Sequence, residues 1–478
     1  MTTELSIGLN RDLDLPLQLQ LVQALKSAID RGTLAPGAKL PSSRKFAGSL
    51  KVSRIVVLNA YDQLLAEGYL EARRGQGTFV AGVSGQTGPS GNPDYAGPEW
   101  ISITSAVSPA GKAEYDFSMG ILAKDILRQP DWRRAWRKAL NHSLSPTLPP
   151  AQGLSSLRQA VADHVNRYRG ISCEAEEIII TSGVADSLDL IARVSRPANP
   201  LVYLENPCFN AAAAGFRRYG HRIRLQDIDE EGIIQNDLDR NPATAKILFC
   251  TPSHQFPLGP RLSLQRRNDL LHWADTQDAL ILEDDYDSEF RYGVAPLPSL
   301  KSQDQAGHVV YLSSLSKSLS PSLRLGYIIA PARLRQALVG EIDINHRQPP
   351  APVQQAVAEF MNVGDMDRHI RRLHRHYEAL NRIIREKLTM LPREVGVLGL
   401  EAGIHCFLHI RDRQKYEKLK KAFGDNGIYL PTLERYLQGP SRWQGFGLGY
   451  GHFGEEELEN ALDHLIQTIR QEFDSQPH

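Results

Sequence analysis

A lysine stands in a row of small hydroxyl residues, Ser313-Ser314-Leu315-Ser316-Lys317-Ser318-Leu319-Ser320, and Arg324 follows at the entrance to an apolar run from Leu325 to Ala330. A lysine amine forms a Schiff base with an aldehyde, and burial lowers its pKa so that it can do so. Serine hydroxyls and an arginine fork beside it suit a phosphate dianion. The cofactor that is both aldehyde and phosphate is pyridoxal 5'-phosphate. Ser-x-Ser-Lys alone reads better as a polar surface loop, since serine-rich loops are common, so a second motif has to decide. Upstream, the apolar run Ala279-Leu280-Ile281-Leu282 ends in Glu283-Asp284-Asp285-Tyr286-Asp287. The same cofactor needs an anion at its ring nitrogen and a donor at its phenolic oxygen. Acids at a strand end also occur in solvated turns and metal sites; beside the lysine motif, cofactor binding is the better reading.

These motifs carry a resemblance. From Asp116 to the C-terminus the chain resembles a fold-type I aminotransferase, and from Pro16 to Val80 it resembles a GntR-type winged helix-turn-helix. In that order the two look like the MocR/GabR-type transcription regulators, with Glu283-Asp284-Asp285-Tyr286-Asp287-Ser288-Glu289-Phe290 the most specific run. The resemblance implies an α/β fold: a winged reader over residues 1–81, a linker over 82–112, and an aminotransferase-like domain over 113–478 with a mostly parallel sheet and a small C-terminal subdomain. It implies that Lys317 holds the cofactor as a Schiff base, with Asp284 at the ring nitrogen and Tyr286 at the phenolic oxygen. Ser314, Ser316, Arg324 and the amides around Gly183, Val184 and Ala185 would hold the phosphate, and Phe209 would stack on the ring. From the residues alone, Phe209 reads nearly as well as a core phenylalanine, and most strand-Gly-helix turns bind nothing.

For the reader, the resemblance assigns Arg44, Ser53 and Arg54 to DNA contacts from the helices, and Arg73, Arg74, Gly75 and Gly77 to the wing. It implies a head-to-tail homodimer in which each reader lies on the partner's large domain.

Three departures from the family pattern matter. Ile55-Val56-Val57 follows Ser53-Arg54 where polar residues are usual, so Val56 or Val57 is expected to meet thymine methyls. Phe256-Pro257-Leu258-Gly259 replaces an Asn-Pro-Thr-Gly whose asparagine bonds the phenolic oxygen, which leaves more to Tyr286, with His254 read equally well as its helper or as a structural residue. Gly447 falls where a carboxylate-gripping arginine is expected, with Arg435 and Arg442 out of register. A regulator sensing an amine, an amino acid or the cofactor itself, with at most residual transaminase activity, is therefore favoured. A working aminotransferase with an accessory DNA-binding domain is the alternative.

The elements that must position these residues follow from periodicity. Leu17, Leu21, Ala24, Leu25, Ala28 and Ile29 recur at helical spacing before Gly32. A hydroxyl cap at Pro41-Ser42-Ser43 starts a second helix, and Ser53 starts a third with Ile55, Leu58, Tyr61, Leu64 and Leu65 as its expected buried stripe. Residues 69–80 read as a hairpin with a basic, glycine-rich tip. Seven basic residues (Lys39, Arg44, Lys45, Lys51, Arg54, Arg73, Arg74) face three acids (Asp62, Glu67, Glu71) between Pro36 and Gly82. This local excess matters because the whole chain is neutral, 55 Lys and Arg against 55 Asp and Glu. Residues 82–112, rich in Gly, Pro and Ser, read as a flexible linker. Beyond it, alternating strand and helix patterns imply a parallel sheet covered on both faces. Residues 352–391 read as one long surface helix whose basic run, Arg368 to His376, forms a solvated face. The four scattered cysteines, Cys173, Cys208, Cys250 and Cys406, argue against a zinc site and for a reducing cytoplasm. No signal peptide and no membrane span are expected.

Overall fold

The computed structural model describes residues 8–11, 15–82, 113–124, 126–142, 145–235, 238, 244–293 and 297–474. The expected linker lies outside the described residues apart from Gly82. The chain divides into two compact units, residues 1–107 and 108–478.

The first unit holds α1 (Leu17–Asp30), α2 (Ser43–Leu50), α3 (Arg54–Ala66) and an antiparallel hairpin of β1 (Leu70–Arg73) and β2 (Gly77–Val80). Ser42 caps α2 by accepting from the Lys45 amide, while Ser53 precedes α3 without a side-chain cap. Leu21, Leu25, Phe46, Val57, Ala60 and Leu64 meet in one core. The stripe expected on α3 is rotated from its place. Ile55 is 63% exposed, and Val57 is fully buried. The α1–α3 packing selects the Val57-Tyr61-Leu64 face, at the 3–4 residue spacing of one helix side.

The second unit opens with β3 (Tyr115–Asp116), α4 (Gln129–Leu140) and α5 (Ser155–Arg169). Strands and helices then alternate: β4 (Ile178–Thr181), α6 (Val184–Ser195), β5 (Leu201–Asn206), α7 (Asn210–Arg218), β6 (Arg222–Asp229), β7 (Gly232–Ile233), β8 (Lys246–Cys250), α8 (Leu264–Gln277), β9 (Leu280–Asp285), α9 (Leu300–Gln303), β10 (Val309–Ser314) and β11 (Gly326–Ile329). Eight strands form one sheet in the order β4-β11-β10-β9-β8-β5-β6-β7. The strands from β10 across to β6 are mutually parallel, and β11 runs antiparallel between β10 and β4. Both faces are covered, as a parallel sheet requires. Leu204, Phe249, Leu282 and Leu312 pack toward α6 and α7. On the other face Tyr203, Leu248 and Ile281 pack toward α8, and Ile180 and Tyr311 toward α5.

After α10 (Ala332–Asn345), the long helix expected over 352–391 is two: α11 (Ala351–Asn362) and α12 (Asp365–Leu388). The break is at Gly364, whose φ of 75° is left-handed. Part of the basic run is not solvated: His369, Ile370 and Leu373 are buried, while Arg368, Arg371 and Arg375 face outward. The small subdomain adds β12 (Val395–Leu398), β13 (His405–Ile410), α13 (Arg413–Asp425), β14 (Ile428–Tyr429), β15 (Gly445–Gly449) and α14 (Glu455–Asp474), around the antiparallel sheet β12-β13-β15.

Candidate functional site

A cavity of about 500 Å³ opens beyond the carboxyl ends of the parallel strands, where open α/β sheets bind ligands. Lys317 lies in it, on the turn between β10 and β11. Its Nζ donates to the Gly120 carbonyl at 2.7 Å. Burial holds the amine below the ordinary lysine range, and the Asp287 charge only partly opposes this. A Cβ at Gly120, where φ is 85°, would collide with Lys317 Nζ, so only glycine leaves the amine its place.

At one end of the cavity, the first turn of α6 presents the amides of Val184 and Ala185, and Ser314, Ser316 and Arg324 line the same space. Helix-start amides have no intrahelical partner and favour an anion. Gly183 makes this approach possible. Its φ of 113° favours glycine, and a Cβ at Gly326 would lie 2.7 Å from Gly183 Cα. Arg324 itself adopts a left-handed φ of 50°, and among the described residues its guanidinium has no hydrogen-bond or ion-pair partner.

At the other end, strand alternation sends Asp284 into the cavity and Asp285 to the opposite face. Asp285 accepts from Tyr311 Oη at 2.6 Å and pairs with Arg169. Asp284 Oδ1 is buried with no partner, and burial together with the Asp285 and Asp287 charges pushes its carboxyl well up. A buried, unmatched acceptor is costly, and a protonated ring nitrogen would satisfy it. Tyr286 Oη lies 3.0 Å from His254 Nδ1, which lies 2.8 Å from Asp287 Oδ2. The loop carrying His254 is pinned by buried Glu205, which accepts from the Thr251 amide at 3.2 Å and from Thr251 Oγ1 at 2.7 Å. Burial raises the Glu205 carboxyl to about 7.

All ten residues expected around the cofactor thus line one cavity: Lys317, Asp284, Tyr286, Ser314, Ser316, Arg324, Gly183, Val184, Ala185 and Phe209. Phe209 lies just before α7 with Phe256 edge-on at 6.4 Å. Together, the unmatched Asp284, the unpaired Arg324 and the glycine-lined amide turn fit pyridoxal 5'-phosphate.

Sequence reading missed several cavity residues. Met119 and Gly120 belong to no recognisable motif. His405, on β13, lies 4.8 Å from His254 ring to ring, and burial drives it well below the ordinary histidine range. One ligand atom each of His254, Asp287 and His405 lies within 4.8 Å of the others. The cysteine argument against a metal could not detect such a cluster. His254 Nδ1 is already committed to Asp287 and Tyr286. The place of the expected arginine at Gly447 is occupied by Met119: a Cβ there would collide with Met119 Sδ, so Met119 would have to move. Arg442 turns away, its Nε 3.2 Å from the Ile228 carbonyl, whereas Arg435 lines the cavity.

In the reader, Arg44, Ser53, Arg54, Arg73, Arg74, Gly75 and Gly77 are all exposed. Arg54 Nε donates to Ser43 Oγ at 3.3 Å, linking α3 to α2. Arg73 is engaged within the wing: its Nε donates to Glu71 at 2.9 Å and its guanidinium lies over the Phe79 ring. Gly75 and Gly77 have φ of 76° and 113°, which the tip requires. Val57 is core and cannot reach a thymine methyl, Val56 is half-buried, and the exposed apolar residue of the run is Ile55.

Family comparison agrees with both units. Residues 116–442 match the aminotransferase class I and II family, and residues 17–80 match the gntR family of bacterial regulatory proteins. The chain belongs to the MocR-type transcriptional regulators, in which a gntR-type reader precedes an aminotransferase-like domain. It is 32% identical to the pyridoxine biosynthesis regulator PdxR of Corynebacterium glutamicum, over 98% of this chain and 99% of that one. It is also 32% identical to the regulator TauR of Rhodobacter capsulatus, over 95% and 96%, and 28% identical to the probable rhizopine catabolism regulator MocR of Rhizobium meliloti, over 96% and 94%. Among solved structures, a multiple substrate aminotransferase from Thermococcus profundus matches with a TM-score of 0.68 at 23% identity, over 77% of this chain and 93% of that one, which establishes the fold. No helix among the described residues is long and apolar enough to cross a membrane.

Proposed function

We propose that the protein binds operator DNA through its winged reader, carries pyridoxal 5'-phosphate on Lys317, and responds to an amine, an amino acid or the cofactor itself. The observation that carries this reading is the meeting, in one cavity, of a half-buried lysine with a desolvated amine, an unmatched buried carboxylate and an unpaired arginine beside helix-start amides. Lys317 Nζ is the attachment point, and burial, by lowering its pKa, favours the neutral, nucleophilic form of the amine. Asp284 takes the ring nitrogen, Tyr286 the phenolic oxygen, and Ser314, Ser316, Arg324 and the amides of Val184 and Ala185 the phosphate. When bound, the cofactor supplies an electrophilic carbonyl carbon and an electron-withdrawing ring. Whenever its Nζ is not engaged by the cofactor, Lys317 would be placed to accept a proton within the cavity.

Met119 against Gly447 favours a sensor over a working aminotransferase, because the usual substrate arginine is absent and its space is filled. The Corynebacterium relative regulates pyridoxine biosynthesis, which keeps the cofactor itself among the effectors to test. Residues 1–81, 82–112 and 113–478 would serve as reader, linker and effector domain of a cytoplasmic head-to-tail homodimer. The test is direct. Holoprotein should show the cofactor's visible absorbance, borohydride should fix it to the chain, and Lys317→Ala should lose that fixation while still binding operator. A Lys317→Ala protein with the same reducible chromophore would remove Lys317 from the role. Turnover of common amino acids at about 1 per second or faster would favour the enzyme.

A further inference from the structure

The arginines of α12 divide by what holds them. Asp365 and Asp367, the acids at the helix start, are already taken up: Asp365 pairs with Arg134 and Arg368, and Asp367 with Arg167. Arg385 Nε donates to Asn381 Oδ1 at 2.8 Å, and its guanidinium also reaches the Leu400 carbonyl. Arg371, Arg375 and Arg382 are different. All three are exposed, and among the described residues none has a hydrogen-bond or ion-pair partner. At about 3.6 residues per turn they lie within roughly 40° of one another, along about 16 Å of helix axis. Glu378 and Glu386, exposed on the same helix, pair with none of them. Arg375, Arg382 and Arg385 line one cleft with Tyr292, Glu378 and Glu401, and Glu401 is answered by Arg261 at 3.6 Å. A row of like charges on one helix face destabilises the helix that carries it. No acid offsets it here, so the row calls for an anion from outside the chain.

We infer that Arg371, Arg375 and Arg382 form a second DNA-binding surface, on the large domain, that holds the phosphate backbone of a duplex without reading its bases. The inference rests on the proposed function, which puts the chain on DNA. A single small anion would be surrounded by converging groups, whereas these three are strung out in a line. Their span of about 16 Å matches roughly five base pairs of duplex. The residue type fits as well: all three are arginines, whose forks pair phosphate oxygens through parallel N–H bonds. In a chain with no net charge, such a local row is what a polyanion can find. Contacts of this kind add affinity that depends on salt and carry no sequence information. They would also give the domain that holds the cofactor cavity its own grip on DNA.

The test uses full-length holoprotein and a mixed-sequence duplex of about 40 base pairs, with binding followed by fluorescence anisotropy between about 50 and 200 mM potassium chloride. The triple variant Arg371→Ala/Arg375→Ala/Arg382→Ala should lower the salt slope by about 2–3. Wild type should then lose roughly 40-fold more affinity than the variant across that range. Cofactor absorbance and solution mass should be the same in both. The triple lysine variant at the same positions should recover most of the slope, because each phosphate contact needs only a cation. About 1 mM inorganic phosphate, added at about 100 mM chloride, should leave wild-type affinity unchanged. An unchanged slope in the alanine variant overturns the inference. So does displacement by inorganic phosphate, which would mark a small-anion site. A changed solution mass with the slope intact also overturns it and would mark an interface between copies of this chain. Arg54→Ala/Arg74→Ala, in the same assay, tests the reader. A slope indifferent to that pair would overturn the proposed function instead, and the two results are separately visible.

Discussion

His254 Nδ1 lies 2.8 Å from Asp287 Oδ2, with both side chains 1% exposed. The carboxylate fixes the imidazole, and the imidazole in turn meets Tyr286 Oη. This chain of contacts stands where relatives place an asparagine on the phenolic oxygen. Tyr286→Phe and His254→Gln should therefore each weaken cofactor affinity, by roughly 10-fold. The double variant should lose less than the two combined, with a coupling of about 1 kcal/mol, because the residues act through one hydrogen bond. Strict additivity in equilibrium cofactor titrations would show that His254 does not act through Tyr286.

Acid should destabilise the large domain through His369. Both ring nitrogens are buried without a partner, and burial pulls the group down to about 4. Between pH 6.5 and about 4 the unfolded chain binds more protons at this residue than the folded one, so stability falls as pH falls through that window. The loss should approach 3 kcal/mol at about pH 4. His369→Phe keeps the packing against Phe360 and should flatten this part of a denaturation-against-pH profile. An unchanged acid slope would mean that other groups set it.

Much of this was legible because it lives in local spacing. Lys317 and Arg324 bracket one turn, and Asp284 and Tyr286 share one strand end, so their neighbourhood follows from the chain itself. Ile55 was misplaced because an Ile-Val-Val run offers two apolar faces, and only the packing of α1 and α2 decides which is buried. Met119, Gly120 and His405 had no local signature. They reach the cavity from elements distant in sequence, one before α4 and the other on β13. The Gly364 break was visible as a glycine, but helical periodicity continues on both sides of it and masks the interruption.

Gly447→Arg should not restore an ordinary substrate grip. Its Cβ would collide with Met119 Sδ and lie 2.7 Å from Met119 Cε. Overpacking of this kind costs about 1–3 kcal/mol. Adding Met119→Ala should recover much of that stability in thermal or urea unfolding. If Gly447→Arg alone is as stable as wild type, Met119 is not the barrier.

The reader's contribution to specificity should divide between Arg54 and Ile55, adjacent at the start of α3. Arg54 is exposed and tethered to Ser43, as suits a phosphate or base contact. Ile55 exposes 63% of its surface, although an isoleucine gains from burial. In the arrangement in which this helix enters the major groove, an apolar tip there meets thymine methyl groups. Arg54→Ala should weaken operator binding on all sequences and, if its contact is to phosphate, lower the salt slope by about 1. Arg74→Ala should do the same from the wing. Arg73→Ala should act differently, loosening the wing by removing its contacts with Glu71 and Phe79. Ile55→Ala should leave the salt slope unchanged and cost roughly 1 kcal/mol on an operator containing thymine, within the range of a single base-edge contact. Replacing thymine by deoxyuridine, base by base, removes only the methyl. At one position wild type should lose affinity on that replacement, while Ile55→Ala should be indifferent to it. If wild type tolerates deoxyuridine at every operator position, Ile55 reads no methyl and the reader's base preference lies with Arg54.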